Sequence, residues 1–214
     1  MPKLFIICGH GDWDPGATGN NYTEAERVRR LASTIKEYGG DNVIIGDTTK
    51  DWYKDNLVNN NNIPKGSIAL ELHMDSSPYL DARGAHVIID ADFEPDKYDK
   101  ALADFISGIF PGRAEKIKKV NNLANLNRAQ KAGINYRLLE CGFISNTKDI
   151  NLFNSKMDEI AKGILKSFDI IPTEKPASGK LYRVQVGAFS VKANAERLMN
   201  ELKLKGYQAF IKEE

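Results

Sequence analysis

Branched and aliphatic residues gather along the chain in short runs, KLFIIC (3–8), NVIIG (42–46), SIALELH (67–73), AHVIID (85–90) and INYRLLEC (134–141). Runs of this length, rich in Val and Ile and bounded by Gly, Pro, Asn and Asp, predict strands. Between them the apolar spacing changes to that of amphipathic helices, at YTEAERVRRLASTIKEY (22–38), DKYDKALADFISGIF (96–110), NLNRAQKAG (125–133) and KMDEIAKGILKSF (156–168). Strands alternating with helices imply an α/β fold, with a mostly parallel sheet covered by helices on both faces. This reading assigns residues 1–171 to one domain.

The periodicity breaks at IPTEKPASGK, where two prolines, a serine and a glycine predict an exposed linker over residues 172–179. It resumes in 180–214. LYRVQVGAF alternates like a half-buried strand, SVKANAERLMNELKLKG reads as a helix ending at Gly206, and YQAFIKEE begins another strand. A βαβ unit this small buries little surface by itself.

Composition narrows the function classes. With 42% hydrophobic and 28% charged residues among 214, the chain is neither disordered nor fibrous. A net charge of +1 gives no general basis for nucleic-acid binding. The segment from Ala177 onward carries seven Lys and Arg against four Asp and Glu, a surplus compatible with an anionic polymer as partner. The first apolar run lacks a small-residue cleavage site and reads as a strand rather than a signal peptide, and no stretch is long enough to cross a bilayer. The expectation is synthesis in the cytoplasm, without membrane insertion and with action outside only after release. Cys8 and Cys141 sit in apolar runs and read as buried, reduced thiols rather than a disulfide.

The residues able to do chemistry cluster at strand ends. His10 and His73 each close an apolar run, which places both at the carboxyl edge of a parallel sheet, where open α/β sheets bind ligands. His86 lies inside an alternating strand and reads as structural. Two imidazoles make an incomplete zinc site, and a carboxylate is the natural third ligand. Glu24 and Glu26, at the start of the first helix, compete for that place, each also favoured there by the helix dipole. Glu140 ends an otherwise apolar strand, so its burial calls for a partner or a task. It fits either a proton carrier in hydrolysis or an ion pair with Arg128.

Three segments, GHGDWDPGATGNNYTE, LELHMDSS and LLECGFISNTKD, taken in this order across residues 3 to 170, resemble the motifs of the zinc-dependent N-acetylmuramoyl-L-alanine amidases of bacterial cell walls and phage endolysins. The resemblance implies Zn2+ held by His10, Glu24 and His73, and Glu140 as the catalytic glutamate. It implies hydrolysis of the amide between N-acetylmuramic acid and L-alanine in Gram-positive peptidoglycan. Leu31, seven residues after Glu24, falls where the family's first helix packs an apolar side chain. Cys8 departs from the Asp or Pro common at its position. Asp75 departs from an Asn, and it joins Ser76 and Arg128 as candidate substrate contacts.

The tail, with VQVGAFS and the helix behind it, resembles half of a SPOR domain, a peptidoglycan-binding module of two strand-helix-strand halves. By that resemblance Tyr182, Gln185 and Phe189 are candidate glycan contacts, and two tails would pair in a homodimer to complete one sheet. Strict alternation does not let all three share a face. The expected protein is a phage endolysin. A sporulation amidase that lyses the mother cell, or an autolysin, is the alternative. A non-catalytic peptidoglycan-binding protein and a zinc peptidase of another fold are readings of a different class.

Overall fold

The computed structural model describes residues 2–11, 13–174, 185–204 and 209–211. The first apolar run forms β1 (Leu4–Cys8), fully buried. There follow a short hairpin of β2 (Thr18–Gly19) and β3 (Tyr22–Thr23), α1 (Glu24–Gly39), β4 (Val43–Ile45), β5 (Ile68–Asp75) and β6 (His86–Asp90). The order continues with α2 (Lys97–Ile109), β7 (Ile117–Val120), α3 (Ala124–Ala132), β8 (Asn135–Phe143), α4 (Thr147–Ser155), α5 (Met157–Ser167) and α6 (Lys192–Leu204).

The main sheet has the order β4-β1-β5-β8-β6-β7. β4, β1, β5 and β8 run parallel. β6 is antiparallel to β8 and parallel to β7, so the sheet is parallel except at one junction. Alternation along the strands divides the core in two. Leu4, Ile6, Leu70, Leu72, Leu139 and Cys141 face a large core completed by α1, α2 and α5. Phe5, Ile7, Ala69 and Leu138 face a smaller one completed by Trp52, Val58 and Ile63 and by Leu126 and Ala129 of α3. Each fully buried Leu, Ile, Val or Phe side chain among these contributes about 1.5–3 kcal/mol. The expected α/β sheet with both faces covered is present.

Local chemistry sets the helix starts, that of α1 at the carboxyl edge of β5 and that of α2 at the opposite edge, beside the first residues of β8. Thr23 caps α1, its side chain accepting from Glu26 N, and Glu24 and Glu26 occupy the first turn where the dipole favours carboxylates. Val28, Leu31, Ala32 and Ile35 make the buried stripe. Asp96 and Asp99 form a reciprocal capping box at α2. Both carboxylates pair with Arg137 of β8, which is 1% exposed.

The two strands of the β2–β3 hairpin, β7 and α4 lie outside the expected set. The hairpin strands have two residues each, too few for a pattern. β7 stands at the sheet edge with Lys118 and Lys119 exposed, the charged composition that protects edge strands. α4 is mostly polar and is started by Asn146, which accepts from Lys148 N and Asp149 N.

The chain divides into two compact units, Met1–Lys175 and Pro176–Glu214. In the second, α6 is the regular element among the described residues. Residues 175–179 of the expected linker and 180–184, 205–208 and 212–214 of the expected tail lie outside the described residues, and 185–189 and 209–211 carry no strand ladder there. Gln185 and Phe189 are exposed, while Tyr182 lies outside the described residues. No described helix is long and apolar enough to cross a membrane.

Candidate active site

The carboxyl ends of β1, β5 and β8 lie side by side because these strands are parallel and in register. Beyond β1, Gly9 N donates to Leu72 O at 3.0 Å, keeping the chain against β5. His10 then adopts φ +66°, a left-handed conformation uncommon for a residue with a side chain. Arg29 Nη2 holds it there by donating to His10 O at 2.9 Å. Gly9 has no positive φ, and its lack of a side chain serves space instead. A Cβ on Gly9 would stand 2.7 Å from His73 Nε2, and one on Gly16 would stand 2.7 Å from Glu24 Oε2.

Glu24 joins the two histidines. Its Oε1 lies 2.8 Å from His73 Nδ1 and its Oε2 lies 3.0 Å from His10 Nε2. The same carboxylate accepts from Met74 N and Ala17 N, both at 3.0 Å. One ligand atom from each of His10, Glu24 and His73 falls within 4.8 Å of the others, so these residues can hold a metal ion. Glu26 is exposed and pairs with Arg27, so it takes no part. The outward ring nitrogens also meet carboxylates: His10 Nδ1 lies 3.3 Å from Asp14 Oδ2, and His73 Nε2 lies 3.3 Å from Glu71 Oε1.

The electrostatics follow from this crowding. Burial opposes ionisation of Glu24, yet hydrogen bonds from both histidines outweigh it and hold the carboxyl well below its usual range. The hydrogen bond to Glu24 raises His10. Burial works against the charged form of His73, but Glu24 and Glu71 raise it well above an ordinary histidine. The pocket is thus built to attract positive charge.

Glu140 stands beside His73 across the β5–β8 ladder and beside His86 across the β6–β8 ladder. Its Oε2 is buried without a hydrogen-bond partner. Burial, then repulsion from Asp75 and Glu24, pushes its pKa up to about 8 against the pull of His73 and Arg113. The alternative pairing with Arg128 does not form, because Arg128 Nη1 donates to Tyr53 O and Asn125 Oδ1, both at 2.8 Å. Asp75 pairs with Arg113, whose guanidinium lies 4.4 Å from the centre of the Phe143 ring. His86 is buried 3.9 Å from Asp75, and burial, together with Arg113, lowers its pKa to about 4. Ser76 is exposed at the same strand end. Cys8 and Cys141 are buried and free, and burial pushes the Cys8 thiol up to about 12.

Sequence reasoning missed Asp14, Glu71, Asn125 and Arg113. The signal for Glu71 was the one that singled out Glu140, a carboxylate inside an apolar run. Arg113 carries no comparable signal, because it lies in a glycine-rich segment far from the motifs.

The family model described as N-acetylmuramoyl-L-alanine amidase matches residues 4–169, which include all of these site residues. The chain belongs to this amidase family. A SPOR domain model matches residues 165–214. The chain is 32% identical to the probable autolysin PH of Staphylococcus aureus over 179 residues, covering 75% of this chain but 37% of the relative. It therefore spans little more than a third of that autolysin's length. It is 28% identical to the sporulation-specific N-acetylmuramoyl-L-alanine amidase of Bacillus subtilis over 222 residues, covering 99% of this chain and 84% of that one. Among solved structures, the CwlD amidase from Clostridioides difficile is similar with a TM-score of 0.65 at 20% identity, covering 78% of this chain and 96% of that one. The catalytic domain of the CD27L endolysin targeting Clostridia Difficile gives 0.64 at 20% identity, covering 81% and 100%. At these identities the structural likeness concerns the amidase fold.

Proposed function

We propose that the chain is a peptidoglycan hydrolase that cleaves the amide between N-acetylmuramic acid and L-alanine. The observation that carries this reading is the placement of a buried, unpartnered Glu140 carboxyl oxygen beside a His10–Glu24–His73 cluster. Two imidazoles and one carboxylate form a hydrolytic zinc ligand set. The close glycine walls, Gly9 and Gly16, leave room beside these donors that a Cβ would fill. Zinc in this cluster would act as a Lewis acid on the scissile carbonyl and lower the pKa of the attacking water. Glu140 takes the proton from that water and returns it to the departing amine nitrogen. Glu24, anchored by two backbone N–H groups, keeps the histidines facing one point. Asp75, Ser76 and Arg128 are assigned to substrate contact around the same edge.

The C-terminal unit is assigned to glycan binding through Gln185 and Phe189, which alternation puts on one face, without Tyr182, and with two tails pairing in a homodimer. A single species of monomer mass by light scattering at micromolar concentration would contradict the pairing.

The biological setting has two readings. One is host lysis by a phage endolysin, and the fold, shared with the CD27L catalytic domain and the CwlD amidase alike, is common to both readings. Wall lysis during sporulation draws support from end-to-end similarity with the Bacillus subtilis enzyme, tail included. A holin gene beside the coding sequence would decide for the first. Wild-type release of stem peptides with a free alanine amine, absent in Glu140→Gln, tests the shared chemistry.

A further inference from the structure

Glu71 is a carboxylate inside an apolar strand, and none of the steps above employs it. Its side chain is 4% exposed, in a setting where an unpaired carboxylate is strongly disfavoured. It precedes His73 by two residues on β5, so both side chains stand on the sheet face covered by α3. Asn125 of α3 donates through Nδ2 to both Glu71 oxygens, at 3.1 and 3.2 Å. Asn125 is buried, and its Oδ1 accepts from Arg128 Nη1 at 2.8 Å. Arg128 also donates to Tyr53 O, which secures the helix end of this chain of contacts.

A neutral imidazole carries one proton, and its position decides which nitrogen keeps a lone pair for a metal. In His73 the nitrogen facing Glu24 is Nδ1, at 2.8 Å, and the one facing Glu71 is Nε2, at 3.3 Å. A carboxylate oxygen beside Nε2 favours a proton there and leaves Nδ1 free. His10 is arranged the opposite way, with Nε2 toward Glu24 and Nδ1 toward Asp14. Asp14 is half-exposed and shared with Lys54, whereas Glu71 is enclosed.

We infer that Glu71 is a positioning residue that fixes His73 in the Nε2–H tautomer and presents Nδ1 to the metal, with Asn125 clamping Glu71 from α3. The inference rests on the proposed zinc site. It makes α3 a support of the metal centre and gives Arg128 a role in that support.

The test uses the full chain, with zinc affinity measured by competition with a chelating dye and the His73 tautomer read by 15N-histidine NMR. Zinc-loaded wild type is expected to carry the His73 proton on Nε2. Glu71→Leu, checked for folding by circular dichroism, is expected to bind zinc about 10–100-fold more weakly and to lose the single tautomer. Glu71→Gln keeps a carbonyl acceptor and recovers part of the loss, and Asn125→Ala shows a smaller loss than Glu71→Leu. A zinc-loaded wild type with the proton on His73 Nδ1 overturns the inference without any variant. So does a folded Glu71→Leu protein with affinity within twofold of wild type. A wild type that takes up no zinc overturns the zinc reading itself, and this inference with it.

Discussion

His73 Nδ1 lies 2.8 Å from Glu24 Oε1, although the residues are 49 positions apart. The contact exists because α1 starts where β5 ends, so one carboxylate reaches both the strand histidine and His10 in the loop after β1. Glu24→Gln removes the anionic ligand while keeping the volume. The expected result is a loss of zinc affinity larger than the roughly 10–100-fold typical of outer partners, measured by calorimetry. Unchanged affinity would place the metal elsewhere.

Gly9 tests whether the space beside His73 matters. Its backbone conformation is one that alanine accepts, but the added Cβ would stand 2.7 Å from His73 Nδ1 and Nε2. Gly9→Ala should fold with a stability loss of about 1–3 kcal/mol. Its zinc affinity and its activity should fall together. Chemical denaturation and dye competition measure the two effects separately.

Glu140 gives a pH dependence with a definite sign. In the metal-free protein its pKa is raised from 4.5 to about 8, so between these values the folded state binds more protons than the unfolded state. Stability therefore contains a contribution present below about pH 4.5 that is lost as pH rises through 8. His10 and His73, both raised, act in the same direction above their ordinary value of 6.5. Urea unfolding of metal-free wild type from pH 5 to 8.5 should show falling stability, and Glu140→Gln should flatten the fall. Parallel curves for the two proteins would contradict the buried, protonated state of Glu140.

Arg137 ties β8 to the start of α2 through Asp99 at 2.8 Å and Asp96 at 3.0 Å. Arg137→Leu leaves Asp99, 4% exposed, without its charged partner. The expected cost is about 3–5 kcal/mol in urea unfolding, because the uncompensated charge remains buried.

The sequence was most legible where burial is continuous. β1, β5 and β8 are apolar runs, and His73 and Glu140, near the carboxyl ends of β5 and β8, reach one edge with His10, two residues past β1, because the strands are parallel. β7 escaped because its lysines face solvent at the sheet margin, and α4 because its polar composition hides the buried Ile150 and Phe153. The choice of Glu24 over Glu26 was open from spacing, since both fit the first helical turn; burial against His10 and His73 separates them. The loop after β1 first turns at a residue with a side chain, not at a glycine. His10 itself takes the left-handed conformation, and Gly9 gives His73 room. Arg128 was read toward Glu140, but its contacts to Tyr53 and Asn125 draw on residues distant in sequence, which periodicity does not reveal.

The most direct measurement is mass spectrometry of Gram-positive peptidoglycan digested by the purified chain, with and without a chelator, alongside Glu140→Gln. Stem peptides with a free N-terminal alanine should appear with wild type, disappear with the chelator and be absent with the variant. Full release by Glu140→Gln, or cleavage at another bond, would contradict the assignment of this site to amide hydrolysis.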